Sequence, residues 1–164
     1  MGYMDFVERG IEVKFSGKLK FNDLYKEITR WGKHHQYNID EKKYEISRGE
    51  EGQNTKIVLE LNKKVSDYAK ISIIVALIGT ELKNVKIKNK IIQEGDVLVS
   101  LTNFIKRDYE DVWTRKNLYR FIREFYDRFI GNSRYEIDEK LLKKETRALR
   151  NTIKDHFKAP KLKK

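Results

Sequence analysis

The chain has 164 residues, 36 basic and 25 acidic side chains, a formal net charge of +11 and no cysteine. That length suits one domain with a substantial core, and the missing cysteines exclude disulfides, thiolate metal sites and cysteine nucleophiles. A pI near 9.6 meets the first test for a nucleic-acid binder, although a Lys-rich proteome gives similar totals with no partner involved.

The charge is unevenly placed. Residues 1–60 balance, residues 61–109 carry +4 and residues 110–164 carry +7. The longest uncharged run, Ile71 to Thr80, is about half of what a bilayer span needs. The opening MGYMDF lacks a signal-peptide core, and Phe6 stands where a myristoylation pattern needs Ser or Thr. The expectation is a soluble, cytoplasmic protein with no membrane partner, arranged as one α+β domain over 1–159 and a basic tail over 160–164.

In chain order, residues 1–10 show no period and read as a loose arm. Ile11, Val13 and Phe15 alternate with polar neighbours, as in a half-buried strand ending near Gly17. A short helix follows, with Asn22 as N-cap, Leu24, Ile28 and Trp31 on its buried face and Gly32 at its end. From His35 to Asn62 the apolar spacing changes to alternation. Tyr37 and Ile39 share one parity and Tyr44 and Ile46 the other, so a turn or bulge at 40–43 must reset the register. The polar stretch Arg48 to Asn54 then joins this strand to Ile57, Leu59 and Leu61 in a hairpin. Tyr68 to Ile78 reads as the central strand, apolar on both faces in its second half. Val85 and Ile87 alternate with lysines, as on a protected sheet edge. Two further turns, at Asn89-Lys90 and over 93–96, precede a last strand at Val97, Val99 and Leu101.

Asp108 to Ile130 has the apolar spacing of a long helix. Asp108 and Asp111 suit its capped start, and Gly131 its end. Leu118, Tyr119, Phe121, Ile122, Phe125, Tyr126 and Phe129 fall on one face, which reads as core. A final helix is placed from Asp138 as N-cap, with Ile137 and Leu142 as a hydrophobic staple and Leu149, Ile153 and Phe157 continuing the stripe. The sum is an α+β fold: a mostly antiparallel sheet of about six strands, one short helix in the N-terminal half and two long C-terminal helices packed on it. A strand-heavy middle before a long C-terminal helix is an arrangement shared with helix-grip ligand-binding folds, from which two terminal helices depart.

No catalytic or cofactor motif is present. There is no Gly-rich phosphate loop, no HExxH and no nucleophile elbow. His34 and His35 are adjacent and read as a strand or loop, where their rings diverge, and His156 sits in the last turn of a helix. No metal, cofactor or enzymatic activity is expected.

The basic residues do form a pattern. Lys143, Arg147, Arg150 and Lys154 recur at i, i+4, i+7 and i+11, a strip about 60° wide beside the apolar face. Lys143 with Arg147, and Arg150 with Lys154, are like-charge pairs that cost a helix a few tenths of a kcal/mol each. This points to a nucleic-acid-binding face, RNA favoured, extended by Lys158 and the tail and joined by Lys116, Arg120 and Arg123. Trp113 stands off the aromatic face, placed to stack on a base. Carboxylates from elsewhere in the fold would neutralise the strip instead. The alternative function is a small-ligand or protein-binding cavity between sheet and long helix. Tyr37, Tyr44, Tyr68 and Tyr126 would bring polar tips to it, and Arg115 an anion partner.

Overall fold

The computed structural model describes residues 3–107 and 132–158. Five strands, β1 (Tyr3–Leu19), β2 (Asn38–Gly49), β3 (Gly52–Lys64), β4 (Ala69–Ile87) and β5 (Lys90–Arg107), form one sheet. Helix α1 (Phe21–His34) links β1 to β2, and α2 (Asn132–Lys158) follows the sheet. The strand order is β1-β5-β4-β3-β2, every pair antiparallel. β2 to β5 are a simple meander, while α1 carries the chain across the sheet so that β1 joins the far side of β5.

One sheet face holds the core. Ile57, Leu59 and Leu61 of β3, Ile71, Ile73, Val75 and Leu77 of β4, and Val97, Val99, Leu101 and Ile105 of β5 are buried there. Leu24, Ile28 and Trp31 of α1 and Leu142, Leu149 and Ile153 of α2 pack into the same cluster. Each fully buried aliphatic side chain contributes about 1.5–3 kcal/mol. On the opposite face Val58, Ile74, Ala76, Ile78 and Leu98 are only half-buried, so β4 is central but not equally covered on both sides.

The expected α+β class with an antiparallel sheet holds, and its detail is corrected. Among the described residues there are five strands, not six, and two helices, of which one is long and C-terminal. The helix expected over 108–130 lies outside the described residues. The strand count falls because the break expected after Ile78 is a bulge within a continuous β4. The β4–β5 register shifts between Thr80 and Lys83, where Glu81 takes φ 53°. β4 gains one residue against β5 there, so Val85 and Ile87 fall on the face opposite to Ile71, Ile73, Val75 and Leu77 although all are odd-numbered. Val85 and Ile87 therefore end β4 and form no separate edge strand. Their turn is Lys88-Asn89, both with positive φ, a two-residue hairpin loop of the type whose twist suits the strands it joins. β5 runs without a turn through 93–96.

The supposed N-terminal arm is strand from Tyr3 onward, paired with β5 through register shifts between Phe6, Glu8 and Ile11. Gly10, at φ 65°, lies in the irregular stretch that hid the period. Helix α1 starts at Phe21 with Lys20 as cap, not at Asn22, and the Gln93 side-chain carbonyl accepts the Phe21 N–H at 2.9 Å. α2 starts at Asn132. Asp138 is buried within it and Ile137 is exposed, so the expected cap and staple are absent. The bulge anticipated near residues 40–43 is present between Glu41 and Lys43.

Candidate nucleic-acid interface on the second helix

Helix α2 is held to the fold by polar as well as apolar contacts. α1 ends in a Schellman arrangement: Gln36 N–H donates to Lys33 O and Tyr37 N–H to Gly32 O, with Gln36 itself at φ 66°. Gly32 passes close under β2 and β3. A Cβ there would stand 3.1 Å from both Ile39 Cδ1 and Leu61 Cδ2. This turn aims Tyr37 inward, against the Trp31 ring, and its hydroxyl donates to Glu145 Oε2 of α2. Lys63 of β3 pairs with the other carboxylate oxygen at 2.9 Å and lies over the Tyr37 ring. Burial, then the hydrogen bond to Glu145, pushes the Tyr37 phenol far above its usual range, so it remains a neutral donor. A second clasp runs from Glu8 N–H to Asn103 Oδ1, from Asn103 Nδ2 to Thr146 Oγ1, and from that hydroxyl to Leu142 O.

These clasps fix which side of α2 faces outward. Leu142, Glu145, Thr146, Leu149 and Ile153 are buried, while Lys140, Lys144, Arg147, Asn151, Lys154 and Lys158 are exposed. Lys143 and Arg150 lie between them, half-buried. At 3.6 residues per turn the basic residues occupy about a third of the circumference and the stretch from Lys140 to Lys158 is about 27 Å long. Lys140, Lys143, Lys144, Arg147, Ala148 and Asn151 line an open hollow of about 370 Å³.

The cations differ in how they are neutralised. Lys143 pairs with Glu139 at 2.8 Å, which raises its pKa, and the Glu8 carboxylate adds to that. It is the weakest member of the strip as an anion ligand. Arg147, Arg150 and Lys154 pair with no carboxylate among the described residues. The Arg150 Nε–H is buried and has no acceptor among the described residues. Asp155 is exposed and Glu145 is taken up by Tyr37 and Lys63. Lys140 and Lys144 were missed by the sequence reading, which drew the strip along a narrow line. Their signal was available in the i, i+4 run Lys140, Lys144 and, one turn on, Ala148 flanked by Arg147.

Trp113, Arg115, Lys116, Arg120, Arg123 and Tyr126 lie outside the described residues. Of the tyrosines of the alternative cavity, Tyr37, Tyr44 and Tyr68 lie within the described residues. Tyr37 and Tyr68 are buried, whereas Tyr44 is exposed on β2. Tyr44 instead borders a second hollow, of about 230 Å³, with Phe21, Tyr25, Ile46, Thr55 and Ile57 among its lining. The Tyr25 hydroxyl donates to Glu41 at 2.9 Å, and Tyr25 is pushed above the usual phenol range by partial burial and then by that bond.

Among the described residues no group of His, Asp and Glu side chains is arranged to hold a metal ion. His34 and His35 end α1, with His35 stacked on Trp31 at 4.1 Å and its Nδ1 2.9 Å from Trp31 O. No helix among the described residues is long and apolar enough to cross a membrane. No family model, curated protein or solved structure matches this chain.

Proposed function

We propose that the chain binds nucleic acid, with RNA favoured, by laying the outer face of α2 along the phosphate backbone. The observation that supports this most is the contrast within one helix. The inward Glu145 carboxylate is consumed by two partners, while the exposed Arg147 and Lys154 and the half-buried Arg150 pair with no carboxylate among the described residues. Keeping like charges together costs helix stability, and a polyanion repays that cost by counterion release. Lys140, Lys144, Lys154 and Lys158 on this face suit phosphate contacts, so binding is positional and weakly discriminating. That suits recognition of RNA by backbone and shape.

The test is fluorescence anisotropy of the full chain with labelled single-stranded RNA, single-stranded DNA and duplex between 50 and 300 mM salt. Four or five phosphate contacts give a log K against log salt slope of about −3 for a single strand. No binding at 50 mM salt, or binding indifferent to salt, overturns the assignment. The second reading, a small-ligand or protein site, rests on the hollow beside Tyr44. At about 230 Å³ it falls below the roughly 300–1,000 Å³ of most small-molecule sites, and so ranks second.

A further inference from the structure

The two sheet edges differ. β1 shifts register twice between Phe6 and Ile11, and its regular run, Ile11 to Leu19, is flanked by α2, whose Phe157 stacks on Phe15. β2 is bulged only between Glu41 and Lys43, leaving Lys43 to Gly49 as a regular run with no strand among the described residues on its outer side. Nearly every β2 residue is exposed, and Tyr44 and Ile46 expose about half of their surface. Bulges, charges and short length are how sheets protect such edges, and the bulge at 42 protects only one end of this one.

We propose that Lys43 to Gly49 pairs antiparallel with the same segment of a second copy, joining two five-stranded sheets into one of ten strands. The register follows from the residues. Opposite residues of an antiparallel pair share a face, so only alternate registers are open. Centring the twofold on Tyr44 runs the ladder into the bulge at 42. Centring it on Glu45 sets that carboxylate against its own copy, an unfavourable like-charge pair. Centring it on Ile46 uses the whole bulge-free run. Ile46 then meets Ile46, Tyr44 meets Arg48 on both sides, Glu45 meets Ser47, and Lys43 meets Gly49. The Tyr44-Arg48 pair sets a guanidinium against an aromatic ring, a favourable contact. The Lys43-Glu45 ion pair at 3.1 Å remains on the other face. Tyr44 and Ile46 share the core-side face with Ile57 and Thr55, their partners in β3. The new contact therefore extends the core face and covers the hollow beside Tyr44.

Analytical ultracentrifugation of the full chain, nuclease-treated and at 300 mM salt, tests this from 5 to 200 µM. A strand-to-strand interface of this size is of the weak class, so a dimer that dissociates on dilution is expected. Ile46→Lys should weaken it at least tenfold, while Ile91→Lys, at an exposed site beside the β4–β5 turn, leaves it unchanged. Because the chain has no cysteine, Ile46→Cys introduces a single thiol. Directly opposed residues have Cα atoms about 4.5–5.5 Å apart, within disulfide range, so Ile46→Cys should cross-link under mild oxidation and Glu45→Cys should not. A chain that stays monomeric at 200 µM overturns the proposal. So does a dimer insensitive to Ile46→Lys, or cross-linking that is no faster for Ile46→Cys than for Glu45→Cys. The salt and nuclease conditions keep this result separate from that of nucleic-acid binding through α2.

Discussion

The two sides of α2 use charge in opposite ways. On the inner side one carboxylate, Glu145, is held by a tyrosine hydroxyl and a lysine and is nearly removed from solvent. On the outer side six exposed or half-exposed cations besides Lys143 run along the surface, and Arg147, Arg150 and Lys154 have no carboxylate among the described residues. Buried ionic groups must be satisfied within the fold or they destabilise it, while solvated ones are free to serve a partner. Stability and binding should therefore separate cleanly between the two sides, and substitutions can test whether they do.

The largest effect should come from the inner side. Glu145→Ala leaves the Tyr37 hydroxyl and Lys63 without their acceptor and should cost about 3 kcal/mol in denaturant unfolding. Replacing all three together, Glu145→Leu with Tyr37→Phe and Lys63→Met, should recover most of that loss. If the triple variant is no better than the single one, the clasp is not self-contained. On the outer side, Arg147→Glu with Lys154→Glu, both at exposed positions, should change stability by no more than about 0.5 kcal/mol. The same pair should reduce RNA affinity by at least a hundredfold near 100 mM salt. A large stability loss would show that the outer cations support the fold and would break the contrast.

A smaller effect should appear at alkaline pH. The Tyr37 phenol is raised by burial and by Glu145. Its folded form holds its proton where the unfolded chain, with a pKa of about 10, releases it, so stability is constant below pH 10 and falls above it. Thermal melts from pH 8 to 11.5 should show this decline in the wild type and a shallower one in Tyr37→Phe. The smallest effect is expected for Lys144→Gln, which removes one phosphate contact. It should flatten the salt slope by about 0.7 and leave the melting temperature unchanged. An unchanged slope would place Lys144 outside the contact.

The sequence showed the antiparallel character of the sheet, the central position of β4, the β2–β3 hairpin and the bulge before Tyr44, because each rests on a period of two or its local reset. It hid the full lengths of β1, β4 and β5. At Gly10 and at Glu81 a register shift interrupts the alternation, and on paper such an interruption looks like a loose arm or a turn. The basic strip was legible because α2 keeps its helical period through Lys143, Arg147, Arg150 and Lys154. The Tyr37-Glu145-Lys63 clasp was not legible. Its members are 108 and 82 residues apart in the chain, and no local pattern reports a pairing that only the crossover through α1 creates.

That crossover also sets a timetable. The closest β1–β5 partners in sequence, Leu19 and Gln93, are 74 residues apart, and the most distant, Tyr3 and Arg107, are 104 apart. At roughly 5–20 residues per second, β1 waits on the order of 5–20 s after leaving the ribosome before its partner strand is complete. The β2 to β5 meander meets no such delay, since each of its strands pairs with the next one made. During that interval β5 can join β4 while its other edge stands open, so nascent chains should be most vulnerable to mispairing just before β1 docks. Cells that translate this chain faster shorten that exposure without changing a single residue.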